Sequence, residues 1–185
     1  MKPVTIVILA ILAVIIGGSA YAYFTFISSS PEKPLLEQPS TAVFARDPNA
    51  SIEVEHVQYL ATELGAYKLH NDPFTKEPAI MEFHVIESGE NFTITVKDGK
   101  PKVTKGRATN PDLRVHGKKQ VLIELFNKQD PVDGIVPIVE KGDIWIEVLG
   151  EEATLAMKGY KGIYDTIKKE TGTPTAQVIR AFRQT

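Results

Sequence analysis

The chain has no cysteine, which excludes a disulfide framework, a thiolate metal site and a cysteine nucleophile, and leaves its redox compartment unmarked. It also lacks any excess of positive charge. Twenty-one Lys and Arg stand against 23 Asp and Glu, a formal net charge of −2. General nucleic-acid binding needs a basic face that replaces counterions along the phosphates, so that class of partner is excluded. There is no phosphate-cradling glycine loop, no serine elbow and no His-Glu zinc pair. The four histidines, His56, His70, His84 and His116, are scattered and have no acid in a ligand pattern beside them. Neither a metal nor a cofactor is expected, and His84 and His116 read as solvated residues of strand faces. No repeat is present, and 185 residues allow one ordinary domain plus an accessory segment.

What is present begins with a run from Val4 to Ile27 that carries no charge. As a helix it would be about 36 Å long, enough for a ~30 Å hydrocarbon core. Tyr21, Tyr23, Phe24 and Phe26 cluster at its far end, where aromatic rings suit a membrane interface, and Lys2 precedes it. Positive charge on that side places the N-terminus in the cytoplasm and the rest of the chain outside, as a single-pass membrane protein. The alternative is a cleaved signal peptide and a secreted product, because Ala20-Tyr21-Ala22 has the small-x-small form of a cleavage site.

Four prolines, Pro31, Pro34, Pro39 and Pro48, follow among serines and charges, so residues 29–50 read as an extended linker after an anchor or signal segment at 1–28. Ser51 is the expected cap of a helix through Val54, Val57, Leu60 and Leu64 that ends at Gly65. The apolar period then becomes two: Met81, Phe83 and Val85, then Phe92, Ile94 and Val96, with a tight turn at Asp98-Gly99 and further short strands at 102–106 and 112–116. Two helices follow, through Leu122, Leu125 and Phe126 and through Ile135 and Val139, then a strand at 143–149 and more helix. This predicts an α+β fold, a five-stranded, mostly antiparallel sheet covered by helices and preceded by one transmembrane helix. The main domain spans 51–170, with a C-terminal helix in 171–185 whose Val178, Ile179 and Phe182 share one side.

The hairpin from Asn91 to Lys100, the strand Pro111-Asp112-Leu113-Arg114-Val115-His116-Gly117 leading into a helix, and Asp130-Pro131 ahead of Lys141-Gly142-Asp143-Ile144-Trp145-Ile146 together resemble the sterol carrier protein type 2 family, over roughly residues 80–167. That resemblance implies an apolar tunnel between sheet and helices that takes fatty acyl chains, sterols or other lipids, and a non-catalytic binding function without cofactor. The candidate lining is Phe83, Ile94, Val96, Leu122, Leu125, Phe126, Ile135, Val139, Ile146, Leu155, Met157, Ile163, Tyr164 and Ile167. The same residue types fill ordinary cores, so a protein-interaction or scaffolding domain with a closed core is the alternative. Lys97, Lys100, Lys102, Lys105 and Arg107 crowd the hairpin tip as a candidate contact for anionic lipid headgroups. Trp145, the only tryptophan, alternates with Ile144, Ile146 and Val148. Glu147 shares its side of the strand, so those three are expected to face the helices and Trp145 to lie outside the cavity.

Overall fold

The computed structural model describes residues 31–128 and 130–163. The elements run, in chain order, α1 (Ala42–Arg46), α2 (Val54–Glu63), a short 3-10 turn (Ala66–Lys68), β1 (Ala79–Val85), β2 (Asn91–Lys97), β3 (Lys100–Lys105), β4 (Leu113–Gly117), α3 (Lys119–Phe126), α4 (Pro131–Glu140), β5 (Ile144–Val148) and α5 (Glu152–Met157). The chain is helical again at 160–163. The expected span from Val4 to Ile27, the C-terminal helix in 171–185, Tyr164 and Ile167 lie outside the described residues. Among the described residues no helix is long and apolar enough to cross a membrane.

The fold is α+β, with one five-stranded mixed sheet in the order β3-β2-β1-β4-β5. Three neighbouring pairs are antiparallel, as expected, but the central pair β1·β4 is parallel, with Met81 opposite Leu113 and Val85 opposite Gly117. The sheet is therefore mostly antiparallel, as predicted, and the parallel pair arises because β3 does not turn straight back. The strap of residues 106–112 instead recrosses the sheet, held by Thr93 Oγ1 to Gly106 O, Ala108 N to Glu82 and Asp112 N to Ile80 O, and enters β4 from the end where β1 begins. The Asp98-Gly99 turn has positive φ at both residues, the geometry that a two-residue hairpin requires.

Strand parity divides the sheet into two faces. The inner face carries Ala79, Met81, Phe83, Val85, Phe92, Ile94, Val96, Val103 and Leu113, all buried in one core with Val57 and Leu60 of α2 and Leu122, Leu125 and Phe126 of α3. Where β4 runs beneath α3, a Cβ on Gly117 would stand 2.9 Å from Leu122 Cδ2, so a larger residue there would have to displace the buried Leu122 side chain. The outer face carries Glu82, His84, Arg114, His116, Trp145 and Glu147, placed by the register of β1, β4 and β5.

Two details differ from the sequence reading. Helix α2 is capped by Glu53 instead of Ser51: the Glu53 side chain accepts from the His56 amide, and His56 Nδ1 accepts from Glu53 N. Ile52 is fully buried, so the chain turns into the helix only after that side chain has been packed. Residues 33–49 do not extend away from the domain as a free spacer. Phe44 is buried beside His56, whose ring in turn meets Phe126, while Gln38 donates to Phe126 O and Thr41 bonds Asn127. An amphipathic turn at α1 supplies the apolar side chain that holds this segment down, and proline content alone does not reveal it.

Candidate functional site

Three arrangements stand out beyond the closed core. The first is an incompletely covered apolar surface at the β4–β5 end of the inner face. Leu113 and Ile144 are buried there, but Val115, Ile146 and Val148 are only half-buried. Elsewhere Ile138 and Val139 of α4, Leu155 and Met157 of α5, and Ile163 are also half-buried; Leu155 lies beside Gly150 just past β5, and Ile163 beside Gly65 at the end of α2. The β1–β3 half has no such exposure on its inner face apart from Pro101 and Lys105 at the edge strand.

The expected lining residues are accordingly divided. Phe83, Ile94, Val96, Leu122, Leu125, Phe126 and Ile135 are buried, all but Ile135 within the main core cluster. Val139, Ile146, Leu155, Met157 and Ile163 belong to the half-buried set. Trp145 stands on the opposite face, 41% exposed and stacked on His116 with ring centroids 4.9 Å apart, while Ile144, Ile146 and Val148 face the helices, as the position of Glu147 implied.

The second arrangement is a polar row across the outer face. Glu82, 1% exposed, accepts from Arg114 Nε at 2.7 Å and from Ala108 N at 3.0 Å. Arg114 Nη1 also reaches Glu147 at 2.8 Å, and the same Glu147 oxygen lies 3.4 Å from His116 Nε2. His84 donates from Nδ1 to Asn91 Oδ1, whose amide nitrogen is itself committed to Gly89 O. His84 and His116 meet edge to face at 5.4 Å. The two histidines are therefore tied into this row instead of being free in solvent. Among the described residues no group of three or more His, Asp or Glu is placed to hold a metal ion.

The third arrangement is buried. Asp112 pairs with Lys158 Nζ at 2.7 Å, accepts from Ile80 N at 2.8 Å and from the Tyr160 hydroxyl at 3.0 Å. Lys158 is 4% and Asp112 6% exposed. Burial, reinforced by the Asp112 charge and hydrogen bond, pushes the Tyr160 phenol far above its usual range, so it stays a donor. The Asp112 carbonyl accepts from Leu149 N and Gly150 N, and Lys158 O from His70 N. Asp112, through its carboxylate and its backbone carbonyl, thus joins the start of β1, the start of β4, the exit from β5 and the end of α5.

Sequence reasoning missed Glu82, Arg114 and Glu147 as a network, and Asp112, Lys158 and Tyr160 as a node. The available signal was parity: Glu82, Arg114 and Glu147 each sit between core-facing apolar residues on strands that the pattern had already marked. The hairpin cations are divided too. Lys97 and Lys100 oppose each other on the outer face, and Lys102 is opposite Thr95. Lys105 projects on the inner-face side, where it pairs with Glu90 at 3.2 Å.

Four groups, His116, Glu147, Glu90 and Asp72, have their pKa values lowered by the fold. Burial is the largest effect on His116 and lowers its pKa below the ordinary imidazole value of 6.5; the Glu147 hydrogen bond opposes this without reversing it. Burial raises the Glu147 and Glu90 carboxyls, but hydrogen bonds from His116 and Arg114, and from Ser88 and Lys105, outweigh it and leave both lowered. Hydrogen bonds from Thr75 and Phe74 backbone amides lower Asp72. A group whose pKa is depressed on folding contributes stability above its unfolded value and loses it as pH falls through the folded one. The melting temperature should therefore hold from pH 8 to about 6.5, decline first through the His116 window and fall more steeply below about pH 4.3, where unfolded-chain carboxylates titrate. Thermal melts of the chain and of His116→Gln, which should lack the first decline, check this; a melting temperature that rises between pH 6.5 and 5 refutes it.

No family model matches the chain, and no curated protein matches it. Among solved structures the chain is similar to the UbiJ-SCP2 ubiquinone synthesis protein, at 13% identity and a TM-score of 0.36, over 62% of this chain and 94% of that one. It is also similar to a double mutant of the sec-alkyl sulfatase PisA1, at 13% identity and a TM-score of 0.34, over 48% of this chain and 12% of the sulfatase. A third likeness is to the stereoselective inverting sec-alkylsulfatase Pisa1 from Pseudomonas sp., at 13% identity and 0.32, over 51% and 13%. The chain thus spans a small part of either sulfatase and nearly the whole length of UbiJ-SCP2.

Proposed function

We propose that this is a sterol-carrier-type domain that binds a lipid or another long apolar ligand reversibly and without catalysis. In this reading it is tethered by Val4 to Ile27 with the domain outside the cytoplasm. One observation carries the binding: the inner face is fully buried over β1 and β2 but leaves Val115, Ile146 and Val148 of β4 and β5 half-buried, and half-buried apolar side chains recur at Val139 of α4, at Leu155, which lies beside Gly150 just past β5, and at Met157 and Ile163. Apolar side chains left half-covered between a sheet and its helices are what an acyl chain would cover, and each methylene removed from water contributes about 0.8 kcal/mol. Met157 adds an adaptable thioether to that set. The ligand set proposed is therefore this end of the sheet, with Phe83, Ile94, Val96, Leu122, Leu125, Phe126 and Ile135 forming its packed floor. On the outer face Lys97, Lys100 and Lys102 of the hairpin, with Arg107 of the strap, supply a cationic surface for anionic headgroups.

The purified chain should bind a fluorescent fatty acid and release it to unlabelled oleate, and Ile146→Asp or Leu155→Asp should weaken binding at least about tenfold by placing an uncompensated charge against the chain. Because Trp145 is on the other face, ligand addition should leave its emission nearly unchanged. No displaceable binding in the wild type, or equal binding by both aspartate variants, sinks the reading.

A further inference from the structure

The two edges of the sheet are finished differently. Beside β3, the Gln58 side chain stands in for a neighbouring strand: its Nε2 donates to Pro101 O at 2.9 Å and its Oε1 accepts from Val103 N at 3.0 Å. At the other edge, Leu149 N bonds Asp112 O and Asp143 O accepts from Lys118 N. These bonds turn residues 143, 145, 147 and 149 toward β4, so Ile144, Ile146 and Val148 direct their amides and carbonyls away from the sheet. No hydrogen bond from those outward groups is found among the described residues.

Exposed edges in native sheets are usually blunted by proline, lysine, a bulge or a covering segment. The β5 sequence, Ile-Trp-Ile-Glu-Val, contains no proline or lysine, and its one charge, Glu147, is compensated by Arg114. Exposed Trp145 and Leu149 add apolar surface on the outer side. An unpaired row of backbone donors and acceptors calls for another extended strand.

We propose that β5 pairs antiparallel with β5 of a second copy of this chain, about a twofold axis at Ile146, so that the two sheets become one. The register is self-complementary. Ile146 meets Ile146 of the second copy and Ile144 meets its Val148, so every outward-facing residue finds another, for about six backbone hydrogen bonds. The inner face then brings Ile146 and Val148 of each copy beside apolar side chains of the other, and cross-strand pairs of this kind stabilise a sheet. On the outer face Trp145 stands opposite Glu147 of the second copy, and no two carboxylates oppose each other. A register centred on Glu147 would set them face to face, which selects Ile146 as the centre. The pairing uses the edge backbone and also the side chains of Ile146 and Val148, which belong to the ligand reading; sedimentation without added lipid tests the pairing, and the fatty-acid titration tests the ligand reading.

The contact is small, and its dissociation constant is expected on the order of 10 µM. The full chain in mild detergent should sediment as a dimer at several times that concentration. Ile146→Pro removes an outward amide from each copy at a position where an edge strand tolerates proline, and should raise the dissociation constant at least about tenfold while far-UV circular dichroism is retained. Because the chain has no cysteine, Ile146→Cys places a single thiol on the axis, within disulfide reach of its mate at the ~5.5 Å spacing of a bonded pair. It should oxidise to a covalent dimer, and Lys102→Cys on β3 should not. That arm decides the matter if the proline variant fails to fold. A monomeric wild type at high concentration, equal cross-linking at both positions, or cross-linking of Ile146→Cys to a different polypeptide would overturn the proposal.

Discussion

Lys158→Met should lower the stability of the domain by about 3–5 kcal/mol, the cost of removing one partner from a buried ion pair. The substitution keeps the length of the side chain and its apolar stem, so packing is nearly conserved and the loss reports on the charge. Asp112 would retain Ile80 N and the Tyr160 hydroxyl on one carboxylate oxygen, but the other would be left in the interior without its cation. Asp112→Ala should cost more, since it also releases Ile80 N and the phenol, both in a region where an unmade hydrogen bond carries its full desolvation penalty. The double variant Asp112→Ala with Lys158→Met should be less damaged than the sum of the two singles, because no uncompensated charge remains. Urea denaturation of the four chains measures these differences. Losses under about 1 kcal/mol for both single variants, the size typical of exposed pairs, would show that the pair is solvated and that the segment after α5 is held some other way.

The order of elements was legible in the sequence because apolar period, glycine and paired turn residues act locally. Gly65 ends α2 and Gly142 follows α4 with positive φ, and Asp98-Gly99 closes the β2–β3 hairpin where the pattern placed it. The face of β5 was legible for a different reason: Glu147 marks which side of an alternating strand cannot be the apolar one. The parallel neighbour of β1 was not legible, since a strap of seven residues, 106–112, looks the same whether it turns back or recrosses the sheet. The docking of residues 33–49 was hidden because it depends on one side chain, Phe44, in a segment dominated by prolines. The polar networks were hidden most deeply. Arg114 is separated from Glu82 by 32 residues and from Glu147 by 33, and only the register of three strands brings them together. For the candidate ligand surface the sequence named residue types correctly suited to a lipid, but degree of coverage, which separates Ile146 from Ile94, is a property of the packed structure alone.

Arg114→Met should cost the domain about as much stability as Lys158→Met. Arg114 lies between two carboxylates, of which Glu82 is buried and Glu147 is partly solvated. Without the guanidinium, Glu82 keeps only the Ala108 amide, and a loss of about 3–5 kcal/mol at neutral pH is expected for a carboxylate stranded in that position. Glu147 contributes little to the loss because water can reach it. Glu82→Gln with Arg114→Met should remove the loss in large part, since the amide oxygen can still accept from Ala108 and no charge is buried. Urea denaturation at neutral pH distinguishes the outcomes: equal stability of the parent and Arg114→Met would show that Glu82 is not held as a buried anion by Arg114.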